Sequence, residues 1–257
     1  MRILMVNDDG IHTDGLRRFR EAAAGAGHEV LVVCPLTEQS GVGHGITYRT
    51  PLQAFETHDR TGFEGYEVAG TPADCVKLGV MELCGWKPDL VLSGVNPGAN
   101  VGLNAFYSGT VAACLEGAMF GIPSFAVSVY LSQGITPDFR RVADDAVRLV
   151  ERLRESRPGQ LAWNINFPSV EGRPKGVKVV PLQWRRAEEM VDRREDPRGR
   201  PYFWVGLHPI RNHAGDPGYD VGEVAEGYVA VTPLTLDLTD AAAIAGVEGD
   251  FAAALAD

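Results

Sequence analysis

Short, unbroken apolar runs alternate along the chain with longer segments whose apolar positions recur every three or four residues. The runs are Arg2 to Val6, Val30 to Cys34 (closed by Pro35), Asp89 to Leu92, Ser124 to Val129 and Ala162 to Phe167. Their length and lack of alternation suit strands buried on both faces. Between them the pattern is helical. Asp14 caps a helix with Leu16, Phe19 and Ala23 on one face, ending near Gly27. Thr71-Pro72-Ala73-Asp74 supplies a capping hydroxyl, a proline for the first helical position and an acid for the first turn, opening a helix that runs to about Cys84. An Ala-rich helix is expected from Gly109 to Phe120, and an amphipathic one from Asp138 to Leu153.

From Lys175 the character changes. Strand-like pieces (Val177 to Leu182, Tyr202 to Leu207, Tyr228 to Val231) are separated by charged loops, and Arg185 to Arg200 reads as a solvated arm rather than an anion-binding patch. The expected division is an α/β core over 1–174 and a β-rich arm over 175–257 that returns to the core near 228–239. The fold class is α/β: a three-layer, Rossmann-like, mostly parallel sheet with helices on both faces and a C-terminal β-rich extension.

Composition narrows the partners. The chain has 257 residues, 45% of them hydrophobic and 23% charged, as in ordinary globular proteins. A net charge of -10 argues against a nucleic-acid duplex as partner, which needs clustered Lys and Arg. No apolar stretch reaches membrane-spanning length and no signal-peptide pattern opens the chain, so cytoplasm is the expected compartment. Cys34, Cys75, Cys84 and Cys114 fall in apolar contexts without C-x-x-C spacing and read as buried thiols.

Candidate chemistry collects where strands end. Asn7-Asp8-Asp9-Gly10 follows the first strand. Adjacent carboxylates repel, and a shared hard cation removes the conflict; a solvated turn with Asx-type hydrogen bonds is the plainer reading. The loop after the second strand, Thr37 to Gly45, offers the Ser40 hydroxyl, glycines such as Gly41 that let backbone approach a ligand, and His44. Asn96, past the strand Asp89 to Leu92, could organise a turn or lend its amide oxygen to a metal. Ser108-Gly109-Thr110 opens the Ala-rich helix, either as a cap or as an anion site at exposed N–H groups. On the second reading, a branched residue at 109 should crowd the anion while leaving the helix intact. Oxygen ligands beside a helix N-terminus outline phosphoryl transfer. His208 and His213 lie in the arm and are not expected to be ligands.

The stretches MRILMVNDDGI, EQSGVGHGIT, GTPADCVKLG, LVLSGVNPGANVG, YSGTVAACLEG and EGYVAVTPLTLDLT together make the chain similar to the SurE family of metal-dependent survival-protein phosphatases. The resemblance runs from residue 1 to about 239. It implies Asp8, Asp9, Ser40 and Asn96 as ligands of one divalent ion, Mg2+ or Mn2+, with Asp8 and Asp9 catalytic. It places substrate phosphate at Gly41, Ser108, Gly109 and Thr110. It also implies hydrolysis of nucleoside 5′- and 3′-monophosphates, with short polyphosphate as a further substrate, and a homodimer or homotetramer with exchanged C-terminal segments. Asn104 departs from the family's usual Asp, which puts the tuning of the site in question. His44 is a candidate general acid by its loop position alone. Two other classes stay open: a Mg2+-binding receiver domain, which lacks its acceptor Asp at Ser93 to Asn96, and a haloacid-dehalogenase-type phosphatase, whose D-x-D start is absent at Asp8-Asp9-Gly10.

Overall fold

Alternating side chains of the first strand explain the layers. In β1 (Arg2–Val6), Ile3 and Met5 enter one core and Leu4 and Val6 another, so the strand is covered on both faces. The first core is roofed by α1 (Asp14–Gly25), through Leu16, Phe19 and Ala23. The chain continues through β2 (Glu29–Pro35), β3 (Ala54–His58) and β4 (Glu64–Val68) to α2 (Pro72–Leu78), which covers the opposite face with Cys75 and Val76. Then follow β5 (Leu90–Pro97), α3 (Gly109–Met119), β6 (Ser124–Val129), α4 (Phe139–Ser156) and β7 (Ala162–Phe167). The last part holds β8 (Val177–Val179), β9 (Glu189–Glu195), β10 (Pro201–Leu207), α5 (Asp220–Ala225), β11 (Val229–Leu234) and α6 (Ala241–Val247). This computed structural model describes residues 1–58, 63–132, 134–184, 189–207 and 215–247; His208 and His213 lie outside them.

Among the described residues, nine strands form one sheet in the order β3-β4-β2-β1-β5-β6-β7-β11-β8. From β4 to β7 all neighbours are parallel, while β3 and β11 run antiparallel to β4 and β7. The chain leaves β1 toward β2 and β4, then returns to β5 on the other side of β1 and proceeds outward to β6 and β7. The order therefore reverses between β1 and β5, and loops diverging there open a crevice beyond the carboxyl ends of the strands.

Several expectations need correction. Asp14 is the first residue of α1 rather than its cap; Thr13 holds the cap position, in extended backbone. Strands β3 and β4 were missed: β3 reads Ala-Phe-Glu-Thr-His at the sheet edge and is largely exposed, so it lacks the apolar run that marks a buried strand. The charged stretch Arg185 to Arg200 contains β9, which pairs antiparallel with β10. Charge on an exposed two-stranded ribbon is indistinguishable by pattern from charge on a loop. The helix from Pro72 does reach Cys84 as expected, its last turn being π-helical over Gly79–Leu83. All four cysteines are free and buried.

Candidate active site

Register fixes the centre of the site. Val6, the last residue of β1, pairs with Ser93 of β5, so Asn7 to Asp9 leave the sheet beside Gly94 to Asn96. Asn96 lies not past the strand, as expected, but within β5, which runs on to Pro97 paired with β6. Asn7 ties the turn together: its Nδ2 donates to Gly10 O at 2.8 Å and to Thr13 Oγ1 at 3.0 Å, while Gly10 N donates to its Oδ1 at 3.1 Å. The Asx turn and the acidic pair are thus both present, because Asn7 makes the turn and leaves Asp8 and Asp9 to other work.

Asp8 is buried against the start of α3. Thr110 Oγ1 donates to its Oδ1 at 2.7 Å. Burial nevertheless raises the Asp8 carboxyl above its ordinary value. Asp9 is pushed up to about 7, first by burial and then by the charges of Asp8 and Glu38. Its Oδ2 is buried with no hydrogen-bond partner among the described residues. A buried carboxylate oxygen without a donor, facing two like charges, is the arrangement a hard cation relieves.

The other expected residues surround this pair. Gln39 N donates to Asp8 O at 2.8 Å, which brings the loop after β2 to the acidic turn. Ser40 follows, exposed, its hydroxyl donating to Glu38 Oε1 at 2.7 Å and its lone pairs left for a ligand. Gly41 is also exposed and has a φ of 74°. Asn96, half-buried, donates from Nδ2 to Gly98 O at 2.7 Å, which leaves its amide oxygen as an acceptor. Among the described residues no three His, Cys, Asp or Glu side chains group as a metal site. A cation here would need the neutral oxygens of Ser40 and Asn96 beside the two carboxylates, and hard divalent ions accept such a set.

Ser108 caps α3, with Oγ accepting from Val111 N at 3.1 Å. Since the Thr110 hydroxyl serves Asp8, an anion at this helix start would sit beside that carboxylate. The expectation that a branched residue at 109 leaves the helix undisturbed fails. A Cβ there would lie 2.9 Å from Asp8 Cβ and 2.9 Å from Pro72 Cγ, so Gly109 is the contact that lets α3 and α2 close on β1.

His44 departs from its simple reading. Its Nε2 lies 2.9 Å from Glu116 Oε2 on α3, and Lys77 Nζ donates to Glu116 Oε1 at 2.6 Å. Burial of Glu116 on the Ala-rich helix hid it from pattern reading. Glu38 was missed too; its place two residues before Ser40 was the available signal. Asn104 sits half-buried in the 3-10 turn Gly102–Phe106, its amide donating to Val101 O at 3.2 Å.

Fold and site together define an α/β protein that gathers hard oxygen donors and a helix N-terminus at its topological switch point. The sequence profile of the family described as "Survival protein SurE" matches residues 3–189. The 5′-nucleotidase SurE 1 of Thermus thermophilus is 47% identical over 243 residues, covering 93% of each chain. The 5′-nucleotidase SurE of Syntrophobacter fumaroxidans is 44% identical over 241 residues, covering 93% of this chain and 95% of that one. The crystal structure of the SurE protein from Aquifex aeolicus superposes with a TM-score of 0.81 at 38% identity, over 96% of this chain and 98% of that chain. The chain belongs to the SurE family. That membership resolves the choice the acidic pair left open with receiver domains and haloacid dehalogenases.

Proposed function

We propose that the protein is a metal-dependent phosphomonoesterase that hydrolyses nucleoside 5′-monophosphates to nucleoside and phosphate. The observation that carries this reading is the unpartnered Asp9 oxygen beside Asp8 at the start of α3, in a family whose relatives bear the name 5′-nucleotidase. Asp8, Asp9, Ser40 and Asn96 hold one divalent ion, Mg2+ or Mn2+. When bound, that ion supplies charge neutralisation for the phosphoryl oxygens. Ser108, Gly109 and Thr110, together with Gly41, orient the phosphate through backbone donors and the positive end of α3. Thr110 keeps Asp8 in place from within the same helix turn.

Nucleoside 3′-monophosphates and short polyphosphate are proposed as further substrates. The functional molecule is a homodimer or homotetramer in which segments of 175–257 exchange between subunits. The protein works in the cytoplasm; among the described residues no helix is long and apolar enough to cross a membrane. The test is phosphate release from a panel of nucleoside monophosphates with Mg2+, Mn2+ or EDTA. Hydrolysis with the metals and none with EDTA is the expected result. A parent protein that releases no phosphate with any divalent ion, or works equally well in EDTA, would sink the reading.

A further inference from the structure

Glu116 is the one charged residue of α3, whose sequence is otherwise small or apolar, and it is only 4% exposed. Burying a carboxylate costs stability unless it is paired and hydrogen-bonded, and an apolar residue of similar size would usually serve packing as well. What Glu116 adds is geometry. Its carboxyl lies below the ordinary glutamate value, chiefly through the hydrogen bond from His44 and then through Lys77, so it is ionised and acts only as an acceptor. His44 must therefore present a protonated Nε2 to it at 2.9 Å, which fixes both tautomer and ring orientation.

His44 belongs to the loop that carries Ser40 and Gly41, and the loop is anchored along its length. Gln39 N holds Asp8 O, Gly43 N donates to Tyr107 O at 3.0 Å, Thr71 Oγ1 donates to Gly45 O at 2.7 Å, and Thr47 N donates to Asp74 Oδ1 at 2.9 Å. Ser40, Gly41 and Val42 span the interval between these anchors. Among the described residues, only the His44 anchor reaches into α3, the helix whose first turn holds Asp8.

We propose that Glu116 is a positioning residue of the reaction, acting through His44 to hold residues 40–42 against the end of β1. The inference rests on the phosphatase reading above. His44 Nδ1 remains the ring's second proton-handling atom, and His44 and Ser108 line the same groove. Lys77, partly exposed, pairs with the other carboxylate oxygen of Glu116.

The experiment compares the parent with E116Q, H44N and the double variant, using AMP with Mn2+ and amide hydrogen exchange over residues 38–45. E116Q is expected to stay folded, with a melting temperature below the parent's, and to lose about ten- to hundredfold in kcat/KM, as a displaced active-site segment does. H44N should lose a similar factor, and the double variant should be no worse than the poorer single one. Exchange at 38–45 should accelerate in every variant. Parental kinetics in E116Q, losses that multiply in the double variant, or unchanged exchange would each overturn the proposal. If E116Q fails to fold, H44N leaves the Glu116–Lys77 pair intact, and slow exchange in it gives the same refutation. A parent without nucleotidase activity would defeat the functional reading alone, because the exchange measurement still decides the anchor.

Discussion

Asp9 combines a half-buried carboxyl pushed up to about 7, a buried oxygen without a partner among the described residues, and two neighbouring acids, Asp8 and Glu38. None of these features favours folding, and a metal role as proposed above would account for their retention. Asp9→Asn keeps the size and removes the repulsion. Its melting temperature should equal or exceed the parent's in the presence of EDTA, while metal-dependent hydrolysis should fall by about two orders of magnitude or more. Thermal melts and phosphate release on the same preparation check this. A variant that loses stability but keeps its turnover would reverse the assignment. At this scale the sequence was legible for placement at element ends: Asp8 and Asp9 follow β1 and Ser108 opens α3, whereas Asn96 lies within β5. It was opaque where a side chain acts from inside an element. Glu116 lies mid-helix, and nothing in its local pattern signals a His44 that is 72 positions away.

Between elements, the contacts that shape the site are a few polar anchors laid over close backbone packing. Thr71 illustrates the economy of the arrangement: its Oγ1 accepts from Asp74 N at 3.1 Å to cap α2 and donates to Gly45 O at 2.7 Å. The capping box was readable from Thr71 to Asp74, but its second use, holding the loop after β2, was not, because the partner is a backbone carbonyl distant in sequence. The anchor between that loop and α3 has a defined pH signature. Glu116 is lowered from its ordinary value of 4.5, so its contribution to stability is fully present above that value and is lost as pH falls through the lower folded-state value. Urea midpoints of the parent and E116Q, followed from about pH 6 to about pH 3, should differ at the upper end and converge below about pH 4.5. A gap that stays constant, or widens on acidification, would show that His44 and Lys77 do not stabilise the ionised carboxylate.

For the whole molecule, the central parallel sheet followed from unbroken apolar strands, and helices on both faces followed from that. Topology did not: that β11 inserts between β7, to which it is antiparallel, and β8, to which it is parallel, depends on pairings between residues distant in sequence, such as Thr232 with Asn164 and Val229 with Val177. The arm poses the remaining physical problem. Strands β9 and β10 pair with each other in a separate two-stranded ribbon, and such a ribbon is marginal by itself. Yet β10 exposes Phe203, Trp204 (62%) and Val205 (77%), with Val191 exposed on β9. Nearer the C-terminus Leu238 is 88% exposed. Large apolar side chains exposed on a marginal element are characteristic of surface buried by assembly. Light scattering at micromolar concentration should therefore give a mass of two or four times the 27.7 kDa chain. Trp204→Ser should shift that mass downward or raise the concentration at which the assembly dissociates, since aromatic anchors carry much of the energy of such contacts. A parent that scatters as a monomer would mean that the ribbon holds its strands without a partner subunit, and the exchange of C-terminal segments would be withdrawn.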